Sequence, residues 1–175
     1  MCSIEETFND CESQLKVPDF AHLAGLVNLE VLDLAHEKIR WGLMKVLCEN
    51  GHEKLHTLNV TDTATFDVDM DHCLFPNLTD LSIGLNHVTD HGLNKINCPK
   101  LRILCATCNL TADGVFALLE KYPRLERLEV LELELDDMQR KRLQSFETII
   151  YFEYRYGHPL CKWKTKRDKE QSLDY

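Results

Sequence analysis

Apolar residues recur at the first, fourth and sixth places of successive blocks along this chain. The triplets are Leu29-Leu32-Leu34, Leu55-Leu58-Val60, Leu78-Leu81-Ile83, Leu101-Leu104-Ala106 and Leu125-Leu128-Val130. A weaker sixth copy is read at Ile149-Phe152-Tyr154, and the block starts lie 26, 23, 23, 24 and 24 residues apart. Alternation around the fourth and sixth places is the signature of a strand with one buried face. The second half of a block carries apolar residues at helical spacing, as at Leu43, Val46 and Leu47. That spacing predicts a short amphipathic return.

One such block cannot bury its own apolar face, so each copy needs its neighbours stacked against it. A period of this length is that of a leucine-rich repeat. The expected fold is α/β: a leucine-rich-repeat solenoid with a curved parallel sheet on the concave side and helices and loops on the convex side. The expected organisation is an N-terminal cap or partial repeat over residues 1–28, the solenoid over 29–157, and a polar, flexible tail over 158–175. Val17 to Asn28 reads as the second half of a shorter repeat, with no matching strand before it. Either it is a cap, or the chain is one piece of a longer protein.

Local signals refine the picture. The return of the second block, Thr61 to Cys73, is acidic and β-branched, which predicts a loop or short turn. Asn86 and Asn109 both fall at the ninth place, where an amide can satisfy backbone groups as the strand turns away. Leu133 replaces asparagine there in the fifth block. Thr89-Asp90 and Thr111-Ala112-Asp113 offer N-caps, and Cys98-Pro99 and Tyr122-Pro123 end the helices that follow them. Asp136-Asp137 opens the next helix and Arg140-Lys141-Arg142 closes it, in the order the helix dipole favours.

With 20 Lys and Arg against 29 Asp and Glu, the net charge is −9. This disfavours nucleic acid and anionic membrane as partners. No run reaches the ~18 apolar residues of a membrane span, and the opening residues lack the apolar stretch of a secretory leader. Of the eight cysteines, Cys48, Cys73 and Cys98 fall in the second halves of successive blocks, where a small buried residue is wanted. Reduced, packed thiols imply a cytoplasmic or nuclear protein.

Candidate chemistry is sparse. Cys105-Ala106-Thr107-Cys108 has redox or zinc spacing, but it lies on or just past a strand, without a helix N-terminus or a second pair. His87 and His91 are four apart but straddle a turn and lack the glutamate of a hydrolytic zinc helix. Asp67, Asp69 and Asp71 lack the glycine and distal glutamate of a calcium loop, so a solvated loop is expected. Lys162, Lys164, Lys166, Arg167 and Lys169 surround Trp163 in what reads as an exposed basic tail. The expectation is no enzyme, no metal and no cofactor.

Cys98-Pro99-Lys100-Leu101 running to Asn109-Leu110-Thr111-Ala112-Asp113-Gly114-Val115, with Val88-Thr89-Asp90-His91-Gly92-Leu93 before it, resembles the cysteine-containing repeats of F-box/leucine-rich-repeat proteins. The resemblance covers roughly Leu29 to Phe146. Ribonuclease-inhibitor-like repeats share the core of Asn109 to Val115. The F-box resemblance implies a substrate-binding part of a cullin-type ubiquitin ligase, with a ligase scaffold as a further partner. The other resemblance implies an inhibitory or regulatory scaffold without a ligase link. No Leu-Pro-x-Glu-type F-box segment is readable between Met1 and Asn28.

A protein partner is expected on the concave face, formed by the second, third, fifth, seventh and eighth places. These supply Glu30, Asp33 and His36; His56, Asn59 and Asp62; Thr79, Ser82 and Leu85; Arg102, Ile103 and Cys105; Arg127, Glu129 and Glu132. The last strand adds Tyr151, Glu153, Arg155 and Tyr156. The expected partner-binding residues are Arg102, Ile103, Cys105, Arg127, Glu129, Tyr151, Arg155 and Tyr156, because arginine and tyrosine combine large contact area with polar handles.

Overall fold

Leu32, Leu58, Leu81, Leu104, Leu128 and Ile150 lie side by side in one row across a sheet, each on its own strand. All six are buried. The computed structural model describes residues 22–23, 25–37, 39, 42–49, 51–71, 73–131, 133–153 and 161–163. Among them, strands β1 (Val31–Asp33), β2 (Thr57–Asn59), β3 (Asp80–Ser82), β4 (Ile103–Ala106), β5 (Arg127–Leu131) and β6 (Ile149–Glu153) are parallel neighbours in chain order. Parallel neighbours need a crossover segment between them. Here it is α1 (Leu43–Glu49), a 3₁₀ turn (Asp67–Met70), α2 (Asp90–Lys95), α3 (Ala112–Lys121) and α4 (Asp137–Leu143) in turn. The chain is thus an α/β fold with a parallel sheet.

The core lies between the sheet and these returns. Leu55, Leu58 and Val60 point inward, as do Leu78, Leu81 and Ile83, and Leu101, Leu104 and Ala106. From above come Leu43, Met44 and Leu47 of α1, Leu93 of α2, and Val115, Phe116, Leu118 and Leu119 of α3. Met44 is fully covered while Val46 is half-buried, so the buried stripe of α1 is rotated from the one expected. Each buried leucine contributes roughly 1.5–3 kcal/mol relative to an exposed one.

Polar side chains join one block to the next. Buried Asn86 accepts from the backbone N–H groups of Thr63 and Thr65 at 3.0 Å each, and donates to Val60 O at 2.6 Å and Ile83 O at 3.1 Å. The C-terminal carbonyls of α2 are met from the following block. Lys121 Nζ donates to the Asn94 and Ile96 carbonyls at 2.6 Å each, and the Tyr122 hydroxyl donates to Ile96 at 2.8 Å. Thr89, Thr111 and Asp136 cap α2, α3 and α4 with their side chains. The second block has only the 3₁₀ turn, as its poor helix formers dictate.

Several details differ from expectation. Asn109 does not repeat the role of Asn86: it is exposed, and Cys108 is buried instead. The fourth block is one residue shorter before its cap. Thr111 stands ten residues after Leu101, whereas Thr89 stands eleven after Leu78. The sixth copy is displaced by two residues. Ile150, not Phe152, pairs with Leu128, and Phe152 pairs with Val130. Ile149 is therefore not an inward first place but the neighbour of Arg127. The sheet also continues past residue 157. Strand β7 (Cys161–Trp163) lies antiparallel to β6, with Ile150 opposite Trp163, within the segment expected to be a flexible tail. Antiparallel pairing needs only a short reversal, and it covers what would be an open sheet edge.

Candidate functional site

The face of the sheet away from the helices carries two rows of side chains. The third places give Val31, Thr57, Asp80, Ile103, Arg127 and Ile149 in order; the fifth give Asp33, Asn59, Ser82, Cys105, Glu129 and Tyr151. Neighbours in a row stand ~4.8 Å apart, so long side chains reach across strands. The chemistry changes along the rows. Apart from exposed Val31, β1 to β3 present acids and short polar groups, whereas β4 to β6 present Ile103, Arg127, Ile149 and Tyr151 beside Cys105 and Glu129.

Arg127 is the centre of the second half. Its guanidinium lies over the Tyr151 ring, 4.9 Å from the centroid. The same group pairs with Glu129, which lies between Cys105 and Tyr151 in the neighbouring row and keeps only 15 % of its side chain exposed. An arginine stacked and paired in this way is held in one orientation, so less side-chain entropy is lost on binding. Ile103 sits half-buried between Asp80 and Arg127. Arg102 stands one place before β4 begins. Its Nε and Nη2 reach the same Glu126 oxygen at 2.9 and 2.7 Å. Both side chains are well exposed, so solvent screens this pair and it adds little stability.

Arg102 also opens onto a groove of about 720 Å³ at the leading ends of the strands, with Lys100, Arg124, Glu126, Glu147 and Thr148 on its walls. Lys100 is steadied there by Asn77, whose Oδ1 accepts from Nζ at 2.6 Å.

At the other end of the strands the backbone turns sharply. His36, Asp62 and Leu85, the eighth places of three successive blocks, all adopt positive φ, at 65°, 56° and 55°. Leucine there costs about 1–2 kcal/mol, and Leu85 is 58 % exposed. This turn also corrects the expected face, because the seventh places Gly84 and Thr107 are buried rather than presented to solvent. A Cβ on Gly84 would lie 2.2 Å from Thr107 Oγ1, so any larger residue there requires the buried Thr107 side chain to shift.

Of the residues expected to meet a partner, Arg102, Ile103, Cys105, Arg127, Glu129 and Tyr151 share this half of the face. Tyr151 reaches it at the fifth place rather than the third. Arg155, Tyr156 and Glu132 lie outside the described residues, as does the basic run beyond Trp163. Cys105 is half-buried on β4, and burial pushes the Cys108 thiol up to about 12. That is the opposite of an activated redox thiol. Among the described residues, no group of three or more His, Cys, Asp or Glu is placed to hold a metal ion.

The acidic trio lies in an exposed segment, as expected, but on and just past a 3₁₀ turn and with its carboxylates engaged. Half-buried Asp67 accepts from Thr89 N at 2.8 Å and Thr89 Oγ1 at 2.7 Å. Asp69 accepts from Phe66 N at 2.9 Å and Gly42 N at 3.2 Å. Asp71 pairs with Lys95 at 2.5 Å. Partial burial raises the Asp67 carboxyl, but the Thr89 hydroxyl and N–H, the His91 charge and the Gly92 N–H outweigh it and hold it below its ordinary value. His87 stacks on Phe66, with ring centroids 4.8 Å apart.

No family model and no curated protein matches the chain. Among the described residues, no helix is long and apolar enough to cross a membrane.

Proposed function

We propose that the chain is a leucine-rich-repeat-type solenoid and acts as a non-enzymatic recognition module, binding a protein partner on the β4–β6 half of its open sheet face. The observation that carries this reading is Arg127, stacked on Tyr151 and paired with Glu129 between Ile103 and Ile149. An oriented arginine beside an aromatic ring and aliphatic neighbours has the composition of an interface hot spot. Arg102 and the groove beside it extend that surface with further cations. The partner segment this suits carries carboxylates that can displace Glu126 from Arg102, with an apolar anchor against Ile103.

The finer reading, a substrate receptor of a cullin-type ubiquitin ligase, rests on the resemblance of Cys98 to Val115 to F-box repeats. Affinity purification with a proteasome inhibitor present tests both levels at once. Recovery of a cullin scaffold supports the receptor. An enzyme recovered with its activity suppressed would assign the inhibitory reading in its place. The recognition surface itself is tested by repeating the capture with Arg127→Ala. Partners retained in full by a folded variant would remove this face from consideration.

A further inference from the structure

The open sheet face is divided by charge. Its leading row is set by the backbone. The Glu30 carbonyl accepts from His56 N at 2.9 Å, that of His56 from Thr79 N at 2.9 Å, that of Thr79 from Arg102 N at 2.8 Å, and that of Arg102 from Glu126 N at 2.7 Å. Glu30, His56, Thr79, Arg102 and Glu126 therefore stand side by side, one per block, as the third and fifth places do. Over the first three blocks these rows carry the carboxylates of Glu30, Asp33 and Asp80. Over the next two they carry Arg102 and Arg127, with Lys100 and Arg124 beyond them in the groove.

The two ends differ in how their acids are met. Glu126 takes Arg102 and Glu129 takes Arg127. Among the described residues, no lysine or arginine pairs with Glu30, Asp33 or Asp80. Lys54, at the leading end of β2, donates to Asn28 Oδ1 at 2.8 Å instead. Asp33 Oδ1 accepts only a backbone N–H, that of Ala35 at 3.0 Å, and Asp80 Oδ2 the Thr79 hydroxyl at 2.6 Å. Asp80 is the sharper case. It is half-buried, and Ile103 stands between it and Arg127 in their row. Arg127 is turned the other way, onto Tyr151 and Glu129. Acid, aliphatic and guanidinium groups thus follow one another on three adjacent strands, ~4.8 Å per step, with the acid left uncompensated. Such a carboxylate favours a ligand that brings a cation to it.

We propose that the partner segment lies across the strands as an extended chain whose charges are ordered. Lysine or arginine sits over Asp80 and onward to Asp33 and Glu30, an apolar side chain rests on Ile103, and carboxylates meet Arg102 and the groove of Lys100 and Arg124. This rests on the recognition reading above, and adds to it the β1–β3 half of the face and an orientation. Spacing sets how far apart the charges stand. From Asp33 on β1 to β4 is three strand spacings, ~14 Å, which an extended chain covers in about four residues. The ligand is therefore a segment with a basic block and an acidic block about four residues apart, and an apolar residue between them. A segment of alternating charge would set cations against Arg102 and acids against Asp80, and such like-charge contacts reject it.

The test uses the whole protein and three short fluorescein-labelled peptides. One carries a lysine block, a central leucine and a glutamate block; one has the same residues with the charges alternating; one has the lysines of the first replaced by serine. By fluorescence anisotropy the block peptide should bind on the order of tenfold more tightly than the alternating one, with the margin shrinking as salt is added. Asp80→Asn should weaken the block peptide about threefold and leave the serine peptide unchanged. A photoreactive group at the lysine end should label β1 to β3, and one at the glutamate end β4 to β6, in peptide maps of the unsubstituted protein. Equal binding of block and alternating peptides, or labelling in the opposite order, would overturn the proposal. The serine peptide keeps the two readings apart. If it binds as tightly as the block peptide and loses that binding in Arg127→Ala, the recognition face stands and the ordered-charge inference fails.

Discussion

Asp90 holds Thr111 by two hydrogen bonds, with Oδ1 accepting from the Thr111 N–H at 3.0 Å and Oδ2 from its hydroxyl at 2.6 Å. Thr111 is itself the N-cap of α3, accepting from Gly114 N at 3.1 Å. Asp67 grips Thr89, the cap of α2, in the same way one block earlier. Each carboxylate therefore fixes the start of the next helix, and neighbouring returns are tied by a repeated polar contact as well as by the apolar core. Each carboxylate also lies beside the first turn of that helix, Asp90 at Gly114 and Asp67 at Gly92, where the dipole favours negative charge. A Cβ on Gly114 would come within 1.8 Å of Asp90 Oδ1 and 2.1 Å of its Cγ.

This geometry makes the Asp90 and Gly114 substitutions dependent on each other. Asp90→Ala should cost about 1–2 kcal/mol, the worth of a lost cap and its hydrogen bonds. Gly114→Ala alone should also destabilise, even though alanine is the better helix former by about 1 kcal/mol. In the Asp90→Ala background the clash is gone, so Gly114→Ala should become neutral or stabilising. Urea denaturation of the four proteins measures the coupling. Additive effects would mean that the carboxylate moves aside freely.

Asn86 is the most fully used polar side chain of the core, with both oxygen bonds and both amide protons engaged. Asn86→Ala strands the Thr63 and Thr65 N–H groups and takes a donor from the Ile83 and Val60 carbonyls, of which Val60 keeps the Thr63 hydroxyl at 2.8 Å, and should cost roughly 2–4 kcal/mol. Asn86→Asp keeps the acceptor but sets a carboxylate against the Val60 and Ile83 carbonyls. That variant should be the less stable of the two at neutral pH and recover part of the loss on acidification, when the protonated acid regains a donor. Chemical denaturation at pH 7 and pH 4 separates the cases. Equal loss at both values would show that water enters and replaces the amide.

Asp67 predicts a pH dependence of defined sign. Its carboxyl is held below the ordinary value in the folded state, so the unfolded chain binds the proton more readily. The stabilisation is complete above the unfolded carboxyl pKa of ~3.9 and is lost as pH falls through the lower folded value. Asp67→Asn should therefore be less stable than the parent at neutral pH, with the difference shrinking steadily below about pH 4. Thermal denaturation across that interval measures it. A difference independent of pH would place the effect in packing against Gly92, where the Asp67 carboxylate also lies.

What the sequence makes legible follows from the range of each interaction. The fourth-place leucines are set by alternation within one strand, so β1 to β5 could be placed by pattern alone. β6 could not. Ile149, Ile150, Tyr151 and Phe152 are apolar at both parities, and only backbone pairing with β5 decides that Ile150 faces inward. Counting from Leu101 does not locate the buried position at Asn109, because a turn shortened by one residue shifts every later side chain. The Asp67–Thr89 and Asp90–Thr111 contacts span 22 and 21 residues and are invisible inside any single block. A usable signal is the glycine three residues into each return, Gly92 after Thr89 and Gly114 after Thr111. A glycine at that point in a helix has to make room for something.

The recognition surface yields the last prediction. Tyr151 gains its place beside Arg127 only through the two-residue displacement of β6, which moves it from the third to the fifth row, next to Glu129. Tyr151 is half-buried and its contact with Arg127 lies on the open face, so neither side chain anchors the leucine core. Tyr151→Ala and Arg127→Ala should each weaken capture of the partner by roughly 2 kcal/mol or more, as hot-spot truncations do. The double variant should lose less than the sum, because the two residues act through one stacked contact. Thermal midpoints should stay within a few degrees of the parent. Calorimetric titration with the captured partner measures the first effect, and thermal unfolding the second. Should Tyr151→Ala instead unfold at a markedly lower temperature with binding per folded molecule unchanged, Tyr151 covers the end of the sheet. The surface would then have to be sought nearer Arg102 and its groove.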